Sequence, residues 1–341
     1  MVDVLSDALI AYVTWDRVVP WKVLSLPEAE TGDFVPIGYG SNQPVFRKRA
    51  VAGTVLWVIT MPRAEISKPP RWFSPSVVAR IRVKGLHTMG NCPREYLSPG
   101  LVDLLRQWCW VAVSDHADSR FFELNDSTPA LKTLLLNKDA RTALETLPAS
   151  ARRRELVKRA RFIRFLPNGL SEAQSAFAPC LKRANDRTVF ISYTHAGGRS
   201  GGGGEEFALD LAEELLRNGF SPWLDALAIP RYDPQREDDC SPVRLERLIA
   251  IGLRQSNLAI SVVTDDYTRN LDQCKINWTQ KEYESILARK TTHGKFRCVQ
   301  IMRGGKELAG FDRAFYDPSA RELSDAVAEW WQREVEPGEL K

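Results

Sequence analysis

The chain has 341 residues, 44% of them apolar and 26% charged, with a formal net charge of +4. That length predicts about two domains, and the composition excludes a disordered or collagen-like chain. The longest stretches free of Asp, Glu, Lys and Arg are thirteen residues (34–46 and 50–62), too short to span a bilayer.

The start, Met-Val-Asp-Val, has no basic segment ahead of an apolar run, so no secretory signal is expected. Six cysteines (Cys92, Cys109, Cys180, Cys240, Cys274, Cys298) are scattered without a C-x-x-C pair, and only four histidines accompany them. Zinc ligation is not expected. These features predict a soluble, reduced, cytoplasmic protein with no resident metal and no membrane partner.

Charge is uneven. Residues 1–180 hold 24 Lys and Arg against 17 Asp and Glu, a net of +7, and residues 181–341 hold 23 against 26, a net of −3. A basic front half suits nucleic acid or another acidic ligand. Its densest run is Arg152, Arg153, Arg154, Lys158, Arg159, Arg161 and Arg164. A solvated helix face and a functional contact both fit that pattern.

In chain order, 51–60 (VAGTVLWVIT) and 77–84 (VVARIRVK) read as strands from their β-branched residues and partial alternation. A short helix over 101–107 leads to strands at 108–113 and 120–124. From Thr128 to about Phe165 the pattern is helical and increasingly basic, until Pro167-Asn168-Gly169 ends it with turn chemistry. No repeat of 20–50 residues is visible. The expected organisation is a mixed β/α domain over 1–167, a linker over 168–185, a second domain over 186–335 and a tail over 336–341.

The second domain is the more regular. Strands are expected at 188–193 (TVFISY), 220–225, 258–264, 296–301 and, weakly, 314–316. Helices are expected at 205–217, 241–254, 276–290 and 320–334. Alternating strands and helices predict a parallel sheet whose ligands lie beyond the carboxyl ends of its strands. The glycines Gly197, Gly198 and 201–204 sit between strand and helix, where a phosphate cradle would lie. They lack both G-x-x-x-x-G-K-[ST] and G-x-G-x-x-G spacing, and a flexible loop is the preferred reading. On the 276–290 helix, Ile276, Tyr283, Ile286 and Leu287 form an apolar face. Trp278, Glu282, Ser285 and Arg289 form another, either an aromatic wall beside an acid or a half-exposed cover.

Phe190-Ile191-Ser192-Tyr193, then Gly219-Phe220-Ser221-Pro222-Trp223-Leu224-Asp225, then Trp278-Thr279-Gln280-Lys281-Glu282 occur in that order. Together they resemble a TIR domain over about 186–335. The overall spacing is most similar to the NAD-cleaving members, which include an animal axon-degeneration NADase and bacterial antiphage effectors. The resemblance implies a flavodoxin-like α/β fold with parallel strands in the order 2-1-3-4-5. It implies cleavage of the nicotinamide–ribose bond of NAD+, as glycohydrolase or ADP-ribose cyclase, with NAD+ as substrate and no cofactor. Glu282 would be the catalytic residue. Ser192, Tyr193, Trp223, Asp225, Trp278 and Ser285 would bind substrate, with Trp223 stacking on a flat ring. Loop 226–240 would complete a neighbouring protomer's site, so activity would need a homo-oligomer. Thr264-Asp265-Asp266 stands where bacterial members often carry a serine. The alternatives are a non-catalytic TIR scaffold and a nucleic-acid sensor with a vestigial TIR domain.

In the front half, 53–57, 77–83 and 120–124 resemble EVE and other PUA-like barrels, small β domains that often recognise modified bases. Trp15, Trp21, Trp57, Trp72, Trp108 and Trp110 then form either a base-stacking wall or part of a core.

Overall fold

The computed structural model describes residues 7–15, 18, 38–64, 71–93, 108–134, 164–194, 204–228, 242–273 and 277–334. The chain divides into two compact units, Met1–Lys182 and Arg183–Lys341. No described helix is long and apolar enough to cross a membrane. The expected helix over 101–107, most of the basic run, Trp21, Gly197, Gly198, residues 201–203 and most of loop 226–240 lie outside the described residues.

The first unit carries strands β1 (Ala8–Tyr12), β2 (Gly38–Ser41), β3 (Val55–Thr60), β4 (Arg63–Ala64), β5 (Arg71–Trp72), β6 (Ser76–Thr88), β7 (Trp110–Ser114), β8 (Arg120–Phe121) and β9 (Arg164–Leu166). β4 and β5 form a separate ribbon. The others make one sheet, ordered β2-β7-β6-β3-β1-β9, with β8 also on β6. β1 and β3 run parallel and the remaining pairs antiparallel. β6 serves three partners: its first part pairs with β3 and β8, its last with β7, and the β7 register shifts between Val83 and Gly85. The described pairings leave the path open at β2 and β9, so the barrel implied by the PUA-like resemblance is not among them.

Both faces of this sheet are buried, and the two-residue period of a strand sorts its side chains between them. Val55, Trp57 and Ile59 join Ala8 and Ile10 in one core; Leu56 and Val58 join Leu9 and Ala11 in the other. Helix α1 (Pro44–Arg49) seals the second core with Phe46. Helices α2 (Thr128–Leu134) and α3 (Leu170–Asp186) seal the first, through Leu131, Leu134, Ala173, Phe177 and Leu181. Trp57, 2% exposed, lies 4.9 Å from the Phe177 ring and stacks on Phe122 at 6.1 Å. Trp57 and Trp72 are therefore core residues and cannot wall a base site, whereas Trp15, Trp108 and Trp110 are half-buried against the opposite face.

Two expectations are corrected here. Of the helical stretch expected from Thr128 to about Phe165, Thr128–Leu134 is helix, 135–163 lies outside the described residues, and Arg164–Leu166 is an edge strand on β1. Phe165 packs in one core and Leu166 in the other, an alternation that a strand satisfies and a helix does not. Asn168 then adopts φ of 51° in the expected turn. The second correction concerns 168–185. That stretch is no free linker, because α3 buries Ala173, Phe177 and Leu181. The division between the units falls near the carboxyl end of this helix.

The second unit has strands β10 (Thr188–Ser192), β11 (Ser221–Trp223), β12 (Leu258–Thr264), β13 (Arg297–Arg303) and β14 (Arg313–Tyr316). All pair in parallel, in the order β11-β10-β12-β13-β14, which is the 2-1-3-4-5 order expected. The helices are α4 (Gly204–Arg217), α5 (Asp225–Ala228), α6 (Pro242–Gln255), α7 (Asp265–Leu271), α8 (Trp278–Thr292) and α9 (Ala320–Glu334). β12 is buried along its whole length, as a central strand covered on both faces must be. α4 ends at Asn218-Gly219, where Gly219 takes φ of 79° and donates to Leu216 O, a left-handed termination that glycine permits.

Candidate active site

In an open parallel sheet the ligand crevice lies outside the carboxyl ends of the strands, where the strand order reverses. In this unit that place is the end of β10, between β11 and β12. Ser192 is the last residue of β10, and Tyr193 and Thr194 follow it. Thr264 ends β12 and caps α7, its hydroxyl accepting from the Tyr267 N–H. The Thr194 and Thr264 hydroxyls lie 3.3 Å apart. Gly204, the first residue of α4, packs against both threonines.

α8 brings the carboxylate. Asn277 caps it, accepting from the Gln280 N–H at 3.0 Å while its own amide donates to Asn270 O at 2.5 Å. The second of these hydrogen bonds ties the start of α8 to the end of α7. The helix then turns Thr279, Glu282 and Ile286 inward. Glu282 is only 8% exposed. Ser192 Oγ donates to Glu282 Oε2 at 2.6 Å. The same Oγ lies 3.1 Å from the hydroxyl of Tyr267, which is fully buried and 3.4 Å from Ser261 Oγ. Nearby, the Tyr193 hydroxyl donates to Asp225 Oδ1, which also accepts the Ala226 N–H at 2.7 Å.

Burial pushes the Tyr193 phenol well above its usual range, and the negative charges of Asp225, Glu205 and Glu282 push it further. Burial likewise raises Tyr267; the Ser192 and Ser261 hydroxyls oppose that shift, and Glu282 adds to it. Both phenols therefore stay protonated at neutral pH and act as donors. Three carboxylates bear on Tyr193 at the edge of a desolvated floor. Such a place favours a cationic ligand group, or positive charge that develops during a reaction.

No protein-family model matches the chain, and no curated protein matches it.

Of the expected site residues, the structure brings together Ser192, Tyr193, Asp225 and Glu282. Trp278, at the first position of α8, is half-buried, with the Lys281 ammonium 4.9 Å from its ring centre. Trp223 ends β11 and is half-buried. Its ring stacks on Phe190 at 4.8 Å, and its indole lies so close to Gly252 of α6 that a Cβ there would sit 2.2 Å from Cε2. That packing sets the half-buried indole against the core cluster that holds Phe190. Ser285 differs from expectation: it is exposed, because the inward face of α8 runs through residues 279, 282 and 286. Ile276 lies outside the described residues, and Tyr283 and Leu287 are only half-buried. Arg289 donates to the carbonyls of Arg254 and Ser256 at 2.6 and 3.0 Å, which makes it a clasp on the end of α6.

Sequence reasoning missed Tyr267 and the α7 that presents it. A signal was present. A threonine followed by two acidic residues is the pattern of a capped helix start.

Proposed function

We propose that residues 186–335 form a TIR-type domain that cleaves the nicotinamide–ribose bond of NAD+. The supporting observation is the position of Glu282: a buried carboxylate, held by Ser192, at the carboxyl edge of a 2-1-3-4-5 parallel sheet. The chemistry suits that position. Nicotinamide in NAD+ is a cationic leaving group, so no general acid is needed. The ribose–nitrogen bond breaks with its electron pair passing to nicotinamide, and the ribose becomes oxocarbenium-like. A carboxylate already oriented by a hydroxyl donor stabilises that charge without reorganising. Attack by water, with loss of its proton, gives ADP-ribose. Attack by a nucleophile within the same molecule gives a cyclic isomer. The reading includes activation by assembly through the second unit and a triggering role for the basic first unit, as an antiphage effector would require.

Nicotinamide release from NAD+, followed by chromatography at high protein concentration with and without DNA or RNA, tests the proposal. Release by the wild type and its loss in Glu282→Ala is the expected result. Equal release by both proteins would remove Glu282 from the mechanism, and no release under any condition would favour a scaffold.

A further inference from the structure

We propose that Tyr267 is a positioning residue that orients the Glu282 carboxylate through Ser192, in a one-way donor chain Tyr267 to Ser192 to Glu282. A serine hydroxyl has one proton. At 2.6 Å from Glu282 Oε2, Ser192 spends that proton on the carboxylate. Its 3.1 Å contact with Tyr267 must then run the other way, with the phenol donating and Ser192 Oγ accepting. The phenol also has one proton. The phenol also donates toward Ser261 Oγ at 3.4 Å, and of the two acceptors the nearer, Ser192 Oγ, takes the larger share of the proton.

The surroundings keep the chain pointing one way. Tyr267 is fully buried, and burial together with the Glu282 charge holds its hydroxyl protonated. Each donor in such a chain polarises the next, so the phenol strengthens the bond Ser192 makes to the carboxylate. Tyr267 does not reach the reacting atoms. Its role is to stop Ser192 from rotating away and so to keep Glu282 at one angle beneath the crevice. The phenol is anchored at the start of α7, where Thr264 caps the helix and accepts from the Tyr267 N–H.

The role in catalysis rests on the NAD+-cleaving reading; the donor chain itself does not. Two readouts separate them. In turnover, Tyr267→Phe should lower kcat about tenfold and leave KM within about twofold, as expected for loss of an aligned charge and not of a substrate contact. In isotope-edited infrared spectroscopy, the Glu282 carboxylate stretch, assigned by difference with Glu282→Gln, should shift in Tyr267→Phe. In a Ser192→Ala background the same change should produce no further shift, because the chain is already cut. If the wild type releases no nicotinamide, the functional reading fails and the infrared cycle still decides the chain. An unchanged stretch in Tyr267→Phe, or a shift of equal size in the Ser192→Ala background, would overturn the proposal. Should Tyr267→Phe not fold, replacing Tyr267 with 3,5-difluorotyrosine keeps the hydroxyl and makes it a stronger donor. The stretch should then move in the direction of a tighter hydrogen bond, and an unmoved stretch would again overturn the proposal.

Discussion

Ser192 and Glu282 stand 90 positions apart in the chain and meet at 2.6 Å. The first ends a buried strand and the second lies on the inward face of α8, so the contact joins the sheet edge to the helix. The two partners are not equivalent in what their loss would do. Ser192→Ala removes the 2.6 Å hydroxyl donor from a buried carboxylate and should cost about 1–3 kcal/mol of stability. Glu282→Gln keeps an acceptor for Ser192 and should cost less than about 1 kcal/mol, yet lower nicotinamide release at least a hundredfold. Urea denaturation and the release assay on both variants check this. A Glu282→Gln variant that unfolds as readily as Ser192→Ala would show that the carboxylate is held for stability.

Gly252 should prove intolerant of even a methyl group. A Cβ there meets the Trp223 indole at 2.2–2.6 Å, so the ring or α6 must shift. Overpacking of this kind costs about 1–3 kcal/mol. Gly294 is the control, since nothing lies within 4 Å of a Cβ there. Gly294→Ala should be neutral or stabilise by up to about 1 kcal/mol. Melting curves of the two variants, with near-ultraviolet circular dichroism to follow the indole, distinguish a pressed tryptophan from a free one.

The sheet of the second unit was legible because its strands are apolar runs separated by amphipathic helices, and the 2-1-3-4-5 order came with the resemblance. Glu282 was legible through its spacing from Trp278. What failed was the phase of α8. A helix whose inward residues are Thr279, Glu282 and Ile286 does not announce its buried face by hydrophobicity, so the exposure of Ser285 is not legible from the pattern. The packing of Trp223 is a related case. Its nearest partners, Phe190 and Gly252, belong to different elements, and only the fold shows that a glycine makes room for the indole. α3 reads as linker because its buried positions, Ala173, Phe177, Leu181 and Ala184, are few along a polar helix.

Phe177 tests that last correction. It is fully buried beside Trp57, so Phe177→Ala should destabilise the first unit by about 3–5 kcal/mol. Hydrogen exchange should report faster opening of β1 and β3, the strands that carry Ile10 and Trp57. Exchange that accelerates only within 168–185 would restore the linker reading.

Alkaline pH should weaken the second unit. Burial raises the Cys298 thiol from 9.0 to about 11, with Lys290 opposing and Asp312 adding to the shift. Burial also raises the Tyr193 and Tyr267 phenols above 10.0. All three hold their protons more tightly in the folded chain, so the unfolded chain releases them first. The stability they contribute is fully present below the unfolded values and declines as pH rises through them. For Cys298 the decline runs from about 9 to about 11. Each group contributes at most about 1.4 kcal/mol per pH unit. Urea midpoints measured between pH 8 and about 11 should therefore fall, and Cys298→Ala and Tyr267→Phe should each flatten the slope. The opposite sign is excluded for these groups, since a rising midpoint would require the folded chain to release protons more readily than the unfolded one. A wild-type midpoint that stays level across the range would mean that the Cys298 thiol and the two phenols are not desolvated in solution.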